Sequence, residues 1–310
     1  MNPKVIIGLS AYNGAKYLKE QLDSLLSQTY KPLEIIVRDD GSTDKSVEIL
    51  KSYGVQILPL GKNLGPRMSF SALLDAMLQD EQAQYFMFCD QDDIWDKDKV
   101  AKSVAKMKTM EQNSKHLPLL VHTDLRVINE AKEILSSSFW SYEHINPDRK
   151  KLGNLLMQNT ITGCTMLFNR SLAQISLPIP KEAIMHDWWM ALVASAFGKI
   201  GSIKEPTIFY RQHGGNDTGA KAYSWKKVFK DAGGIVFGRG IYAQHLDINL
   251  AQSDAFLARY HRELDANALS TLEAFTTIKS QNYLQKRYSL IRYKLLKYGF
   301  MRNLGLFVRI

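Results

Sequence analysis

Three carboxylates stand within four residues, directly after a fully apolar run. The run is Tyr85-Phe86-Met87-Phe88-Cys89, and the polar segment is Asp90-Gln91-Asp92-Asp93. So much negative charge in one loop is costly unless a cation neutralises it, and hard oxygen ligands select Mg²⁺ or Mn²⁺. The alternative is a solvated acidic turn before a helix that begins near Lys97. A buried strand directly before the segment favours a site for a metal and a phosphate.

A second pair of carboxylates, Asp39 and Asp40, follows the apolar run 33–37. Such a pair can accept hydrogen bonds from a base imide or a ribose hydroxyl. The segment continues as Gly41-Ser42-Thr43-Asp44, which also fits a turn and a helix N-cap. The residues alone leave both interpretations open.

Short β-branched runs alternate with segments of helical period over the first hundred residues, which predicts a parallel sheet covered by helices. Strands are predicted over 5–9, 33–37, 55–58 and 85–89, with helices over 17–26, 42–50 and 68–78. Ligands bind outside the carboxyl ends of parallel strands. The polar residues after each strand are therefore predicted to form one site. They are Ser10, Ala11, Tyr12, Asn13, Asp39, Asp40, Asn63 and the segment 90–93.

The pattern is less regular beyond residue 100. Strands are predicted over 119–122, 164–168 and 208–211, a helix over 188–197, and a mobile loop over 136–150. Beyond residue 224 the pattern is helical.

The composition describes a globular, moderately basic protein. The 310 residues include 40 Lys and Arg against 31 Asp and Glu, a net charge of +9, and 45% are hydrophobic. Disordered, collagen-like and disulfide-rich chains are excluded. Two cysteines, Cys89 and Cys164, are predicted to be inert core thiols. With neither a signal peptide nor an apolar run long enough to span a membrane, a cytoplasmic location is expected.

Seven segments occur in an order that resembles glycosyltransferase family 2. They are Leu9-Ser10-Ala11-Tyr12-Asn13-Gly14, Arg38-Asp39-Asp40-Gly41-Ser42-Thr43-Asp44, Asn63-Leu64-Gly65, Cys89-Asp90-Gln91-Asp92-Asp93-Ile94-Trp95, Thr162-Gly163-Cys164-Thr165, His186-Asp187-Trp188-Trp189 and Tyr210-Arg211-Gln212-His213. The resemblance covers about residues 1–216, and the forms of the fourth, sixth and seventh segments look most like bacterial rhamnosyltransferases of that family.

The resemblance implies a GT-A type α/β fold, with a mainly parallel central sheet flanked by helices and a C-terminal helical extension. It also implies inverting transfer of a sugar from a nucleotide diphosphate donor, with Asp187 as catalytic base. Mg²⁺ or Mn²⁺ would be bound by Asp92 and His213, with Asp90 and Asp93 as further candidate ligands. Ser10, Tyr12 and Asp39 match nucleoside-binding positions. The other predicted donor-site residues are Ala11, Asn13, Asp40, Asn63, Arg67, Asp90 and Gln91. The predicted acceptor-site residues are Trp188 and Trp189.

Several of these residues have structural alternatives. Asp187 also fits an N-cap of the helix 188–197, and a histidine at a strand end such as His213 is often structural. Gly214-Gly215-Asn216 after it would let the backbone approach a phosphate. One of the two tryptophans is expected to face outward and one inward. Arg67 and Arg211 would either contact the diphosphate or pair with carboxylates.

The chain is predicted to divide into a catalytic domain over 1–222, with a nucleotide-binding half over 1–100, and a basic helical extension over 223–310. No acidic residue follows Glu273, whereas eight basic residues do, so the preceding part is nearly neutral. A helix over 284–298 would place Leu284, Tyr288, Ile291, Leu295 and Tyr298 on one stripe beside basic residues. That stripe would lie on an anionic membrane surface or pack against the protein's own body.

The expected partners follow from these assignments. The donor is expected to be dTDP-rhamnose, with a UDP-hexose or UDP-N-acetylhexosamine as the alternative, and the acceptor a lipid-linked or free saccharide. A nucleic-acid-binding protein is disfavoured because the strand-end loops are acidic. A nucleotidyltransferase is disfavoured because the segment 10–16 lacks arginine, and a Rossmann dehydrogenase because no GxGxxG follows the first strand.

Overall fold

The computed structural model describes residues 2–214 and 239–310. Nine strands and twelve α-helices lie within these ranges. The strands are β1 Lys4–Ala11, β2 Leu33–Asp39, β3 Gln56–Ile57, β4 Ala83–Cys89, β5 Ile94–Trp95, β6 Leu119–Ile128, β7 Ile134–Ser136, β8 Leu167–Asn169 and β9 Lys199–Arg211. The helices are α1 Leu18–Leu26, α2 Ser46–Ser52, α3 Gly65–Leu78, α4 Lys99–Glu111, α5 Phe139–Tyr142, α6 Leu152–Met157, α7 Arg170–Ser176, α8 His186–Phe197, α9 Arg239–Tyr260, α10 Ala266–Thr276, α11 Tyr283–Arg292 and α12 Phe300–Arg309.

All the strands belong to one sheet, in the order β3-β2-β1-β4-β8-β6-β9-β5, with β7 paired to β6. The first four strands are parallel, and β6 and β9 are also parallel. Strand β8 runs antiparallel between β4 and β6. The predicted parallel sheet is confirmed for the first four strands, and its carboxyl edge holds the polar loops.

Alternate side chains of the strands enter two apolar cores, one on each face of the sheet, as the two-residue period of a strand requires. Ile7 of β1 packs with α1 and α4 on one face. Ile6 packs on the other face with α3, α8 and the extension, whose Phe256 and Leu290 belong to this same core. The predicted domain boundary at 222 lies outside the described residues.

Local departures from the predicted elements have backbone causes. Helix α3 begins at Gly65, three residues early, because Pro66 fits the first helical turn. Within the predicted strand 164–168, a 3₁₀ turn over Gly163–Thr165 delays β8 to Leu167. The predicted helix 284–298 is wrong. The chain leaves α11 after Arg292, with positive φ at Lys294 and Gly299, and α12 follows.

No helix within the described ranges has the length and apolar character needed to cross a membrane.

We predict that Gly153→Ala lowers the free energy of unfolding by about 1–3 kcal/mol, the range for overpacking. A Cβ at residue 153 would lie 1.9 Å from the Tyr293 carbonyl oxygen, where the extension packs on α6. The matched control is Gly305→Ala in α12, where a Cβ meets open space, and better helix propensity should add about 0.5–1 kcal/mol. Chemical denaturation measures both, and equal midpoints for Gly153→Ala and the parent would contradict this packing.

Candidate active site

A cleft of about 440 Å³ opens at the carboxyl edge of the sheet. Loops from β1, β2 and β4 form one side, and the turn before β8 and the start of α8 form the other. Eight predicted site residues line it: Ser10, Tyr12, Asp40, Asn63, Asp90, Gln91, Asp92 and Asp187. Among the described lining residues there is no lysine or arginine. The described lining is therefore acidic and rich in hydrogen-bonding groups.

The loop after β1 is joined to the acidic loop after β4. The Tyr12 backbone N–H donates to Gln91 Oε1 at 2.8 Å, and Gln91 Nε2 donates back to the Tyr12 carbonyl at 3.0 Å. The Tyr12 ring stays 48% exposed at the mouth of the cleft. Ser10 shares a 2.7 Å hydroxyl contact with Ser69 of α3. This loop therefore presents an aromatic face and a hydroxyl to the cleft.

Asp39 and Asp40 are both buried but have different partners. One Asp39 oxygen accepts the backbone N–H groups of Gly41 and Ser42 at 3.1 and 2.9 Å. The other Asp39 oxygen has no partner among the described residues. Asp40 pairs with Arg38 and accepts the N–H groups at the start of α3. The geometry therefore gives Asp40 a role in holding the loop. Asp39 lies outside the cleft lining, and one of its buried oxygens has no partner among the described residues.

The loop after β4 carries three carboxylates, and the described residues neutralise their charge only in part. Asp92 Oδ2 lies 2.7 Å from His213 Nε2. Asp93 is fully buried, and its Oδ2 has no partner among the described groups. Burial, together with the charges of Asp92 and Asp90, raises the pKa of Asp93 well above its usual value. A cation at this loop would relieve that repulsion.

The donor set fits a hard divalent cation. Ligand atoms of Asp90, Asp93 and Cys164 lie within 4.8 Å of one another. Burial raises the pKa of the Cys164 thiol, so this residue stays a neutral thiol, a poor ligand for Mg²⁺ or Mn²⁺. The carboxylates of Asp90 and Asp92 line the cleft, with the His213 imidazole beside Asp92. These three residues are candidates for holding such an ion, together with Asp93, whose carboxylate lies close to that of Asp90.

Arg211 braces the acidic loop. Its side chain is 1% exposed, its Nε donates to the Asp92 carbonyl at 2.9 Å, and its backbone N–H donates to Asp93 Oδ1 at 3.1 Å. Its guanidinium also pairs with Glu20 of α1 at 2.5 Å and lies over the Tyr17 ring. Of the two roles that the sequence left open for Arg211, the geometry supports pairing with a carboxylate.

Asp187 lines the same cleft as the acidic loop. Helix α8 begins at His186 with Met185 as its cap, so the N-cap alternative for Asp187 is wrong. The Asp187 carboxylate accepts the N–H groups of Gly163 at 3.0 Å and Trp188 at 2.6 Å. Desolvation by the surrounding protein nevertheless raises the pKa of Asp187 to about 6. A carboxylate with this pKa is suited to act as a general base near neutral pH.

Glycine is required at residue 163 by the approach of a neighbouring ring. A Cβ there would lie 2.8 Å from His186 Nε2. The His186 ring stacks on Phe70 at 4.1 Å, and burial lowers its pKa to about 3, so it is neutral. This packing brings the Gly163 N–H to the Asp187 carboxylate.

Other predicted site residues lie outside the cleft lining. Arg67 donates to the Ala183 carbonyl at 2.7 Å, Ala11 is fully buried, and Asn13 bonds to the β2–α2 loop. The acceptor role of Trp189 is wrong, because its fully buried indole donates to Ser176 and packs on Phe256. Trp188 is half-buried and donates to the Leu155 carbonyl at 2.6 Å.

Sequence reasoning missed the apolar wall of the cleft. Phe70, Pro66, Met185 and Tyr210 line it beside His186. His186 and Tyr210 lie in two of the segments that carry the family resemblance, but the sequence predicted no role for either residue. Phe70 carries no sequence signal, because an aromatic residue in a helix is most often core.

Comparisons with known proteins place the chain among glycosyltransferases. The sequence model of glycosyl transferase family 2 matches residues 6–175, more than half of the chain. An uncharacterized glycosyltransferase of Rickettsia prowazekii is 29% identical over 180 residues, covering 56% of this chain and 52% of the relative. The dTDP-rhamnosyl transferase RfbG of Shigella flexneri is 26% identical over 241 residues, covering 73% of this chain and 78% of RfbG. This chain spans about half the length of the first curated relatives it matches.

Among solved structures, TarS residues 1–349 of Staphylococcus aureus, in complex with UDP-GlcNAc, align with a TM-score of 0.56 at 15% identity. The alignment covers 94% of this chain and 88% of that one. The likeness confirms the predicted GT-A type fold.

We predict that Arg211→Leu destabilises the fold by about 1–3 kcal/mol, because it removes the donor to the buried Asp92 carbonyl and the partner of Glu20, while the backbone N–H that Asp93 accepts is kept. The matched control is Lys132→Ala, which removes the exposed partner of the same Glu20 carboxylate and should cost at most about 1 kcal/mol. Thermal and chemical unfolding measure the difference. Equal losses for the two variants would show that Arg211 is not the brace.

Proposed function

The chain belongs to glycosyl transferase family 2, and we propose that it transfers a sugar, with inversion at the anomeric carbon, from a nucleotide diphosphate donor to a hydroxyl group. The observation that carries the proposal is that two kinds of carboxylate line one cleft. They are Asp187, half-buried and with a pKa of about 6, and the acidic loop with Asp90 and Asp92. An inverting displacement needs a base on the acceptor side and charge neutralisation on the leaving-group side.

The nucleoside is proposed to bind at the loops after β1 and β2. The exposed Tyr12 ring offers a stacking face, and the unpartnered Asp39 oxygen can accept a hydrogen bond from a base imide. Ser10 adds a hydroxyl at the cleft. These groups hold the donor by its base and ribose, which leaves the sugar free to reach the wall formed by α8.

Asp187 is proposed to take the proton from the acceptor hydroxyl. Above pH 6 its carboxylate is mostly ionised, and the N–H groups of Gly163 and Trp188 fix its orientation. The acceptor oxygen then attacks the anomeric carbon from the face opposite the diphosphate. The bond to the diphosphate breaks with inversion, and no protein nucleophile is required.

Mg²⁺ or Mn²⁺ is proposed to be held by Asp90, Asp92 and His213. When bound there, the ion would neutralise charge on the leaving diphosphate. The described cleft lining contains no lysine or arginine that could supply this charge instead.

The donor sugar is proposed to be L-rhamnose from dTDP-rhamnose. The RfbG relative carries the name of a dTDP-rhamnosyl transferase, and the wall of Phe70, Pro66 and Met185 suits the methyl group of a 6-deoxysugar. The acceptor is proposed to be lipid-linked or a saccharide, in cell-surface polysaccharide synthesis. The same proposal places the enzyme in the cytoplasm, peripheral on the inner face of the membrane.

We predict that Asp187→Asn lowers the rate of transfer by about 10²–10⁴, the usual contribution of a general base, without weakening donor binding. In the parent protein, the rate should fall as pH drops below about 6, since protonation removes the base. The control is Asp75→Asn, an exposed carboxylate of α3. Transfer by Asp187→Asn at the parent rate, or a parent profile that stays flat through pH 6, would overturn the assignment.

The donor is tested by a thermal-shift screen of nucleotide sugars with Mg²⁺ or Mn²⁺. We predict that dTDP-rhamnose stabilises the parent in a metal-dependent way, and that Asp92→Asn abolishes the metal dependence. Stronger stabilisation by a UDP-hexose would reject the rhamnosyl assignment while keeping a sugar-nucleotide site. Stabilisation that is independent of metal would reject the metal assignment.

A further inference from the structure

The last two helices expose an unusual share of the protein's large apolar side chains. Nearly half of those exposed in the described chain lie on α11 and α12, with exposed fractions from 47% to 77%. Their spacing of three or four residues gathers them into one stripe on each helix. We call this set the apolar stripes: Tyr283, Leu284, Tyr288 and Ile291 on α11, and Phe300, Leu304 and Val308 on α12.

The opposite faces of the same helices are docked on the protein. Leu290 and Leu306 are fully buried in the core that α3 and α8 share. Lys286 donates to the Ile310 carbonyl at 2.9 Å, and Arg287 donates to the Phe307 carbonyl, so α11 and α12 contact each other. The apolar stripes are therefore an outward face of a packed element.

The connection between these helices is anchored to α6. Asn154 Nδ2 donates to the Lys294 carbonyl at 2.7 Å, and Arg149 donates to the Leu296 carbonyl at 2.5 Å. Leu295, which the sequence placed on the same stripe as Leu284, is fully buried. The exposed surface is thus made of two short helices rather than one long helix.

The charged residues of the segment that carries the apolar stripes have one sign. Residues 274–310 contain eight lysines and arginines and no acidic residue. Arg292 and Lys294 are exposed next to the α11 stripe, and the Arg287 guanidinium lies 3.7 Å from the Tyr283 ring centroid. Long basic side chains beside an apolar face can reach anionic headgroups while that face enters the interface.

We propose that α11 and α12 together form a docking surface for an anionic lipid bilayer, entered by the apolar stripes and held by the surrounding cations. The inference rests on the proposed membrane location of the enzyme and names the surface that achieves it. A second copy of the chain fits less well, since a symmetric contact would bring two basic surfaces together without an acidic residue between them.

The docking surface lies next to the acceptor side of the cleft. The Tyr298 backbone N–H, between α11 and α12, donates to Gln158 Oε1 at 2.8 Å. The side chain of the following residue, Asn159, interacts with the Asp187 carboxylate and favours its ionised form. A lipid-linked acceptor in the same bilayer would therefore approach the wall that holds the base.

The test is flotation of the full chain with vesicles of phosphatidylcholine alone or mixed equally with phosphatidylglycerol. We expect flotation with the mixed vesicles only, weakening as salt is raised. Leu284→Ser with Ile291→Ser should reduce the bound fraction about tenfold. Leu26→Ser with Leu135→Ser, two apolar residues of 49% exposure elsewhere, should bind like the parent.

Three results would overturn the proposal: equal flotation with neutral vesicles, equal losses in the two double variants, or a parent dimer that Leu284→Ser with Ile291→Ser converts to monomer. Thermal stabilisation by thymidine diphosphate and Mn²⁺, measured without vesicles, separates this proposal from the proposed activity. This stabilisation should be the same in the parent and in both double variants. Its absence in a parent that still floats would reject the donor assignment and leave the docking surface standing.

Discussion

Negative charge held at a partly buried edge of the sheet is the constraint on which this structure depends. Asp90, Asp92 and Asp93 stand together after β4, and burial together with the neighbouring charges raises the pKa of Asp93 well above its usual value. Arg211, which lies outside the cleft lining, is bonded to the backbone of the loop and to Glu20. The acidic centre is thereby kept rigid and open toward the cleft, which is what a site for a cation and a diphosphate requires.

The same cleft holds a different kind of carboxylate. Among the described residues, no lysine or arginine pairs with Asp187, so desolvation outweighs its hydrogen bonds from backbone N–H groups and its pKa rises. The neutral His186 ring contributes packing instead of charge, and it explains why residue 163 is a glycine. One cleft therefore holds carboxylates with separate tasks, distinguished by their surroundings rather than by residue type.

The extension connects this site to the protein's surface. It shares a core with α3 and α8, and its link between α11 and α12 reaches α6, one residue from a partner of Asp187. The same helices therefore contribute to the core beneath α8 and contact the segment next to Asp187. The net positive charge of the sequence is concentrated in this segment. The fold gives the segment one buried face and one exposed face.

Sequence alone determined the α/β class, the parallel first half of the sheet and the carboxyl-edge residues, because strand periodicity and polar loops are local signals. It also identified Asp187, Asp92 and His213 as candidates through their segments. Only the tertiary structure decided which residues these side chains contact. Arg211 meets Glu20 across 191 positions, Trp189 turns inward, and the stripe predicted over 284–298 breaks at Lys294. Contacts between distant segments and positive φ angles produce no periodic pattern of apolar residues in the sequence. The spacing of residues therefore could not predict them.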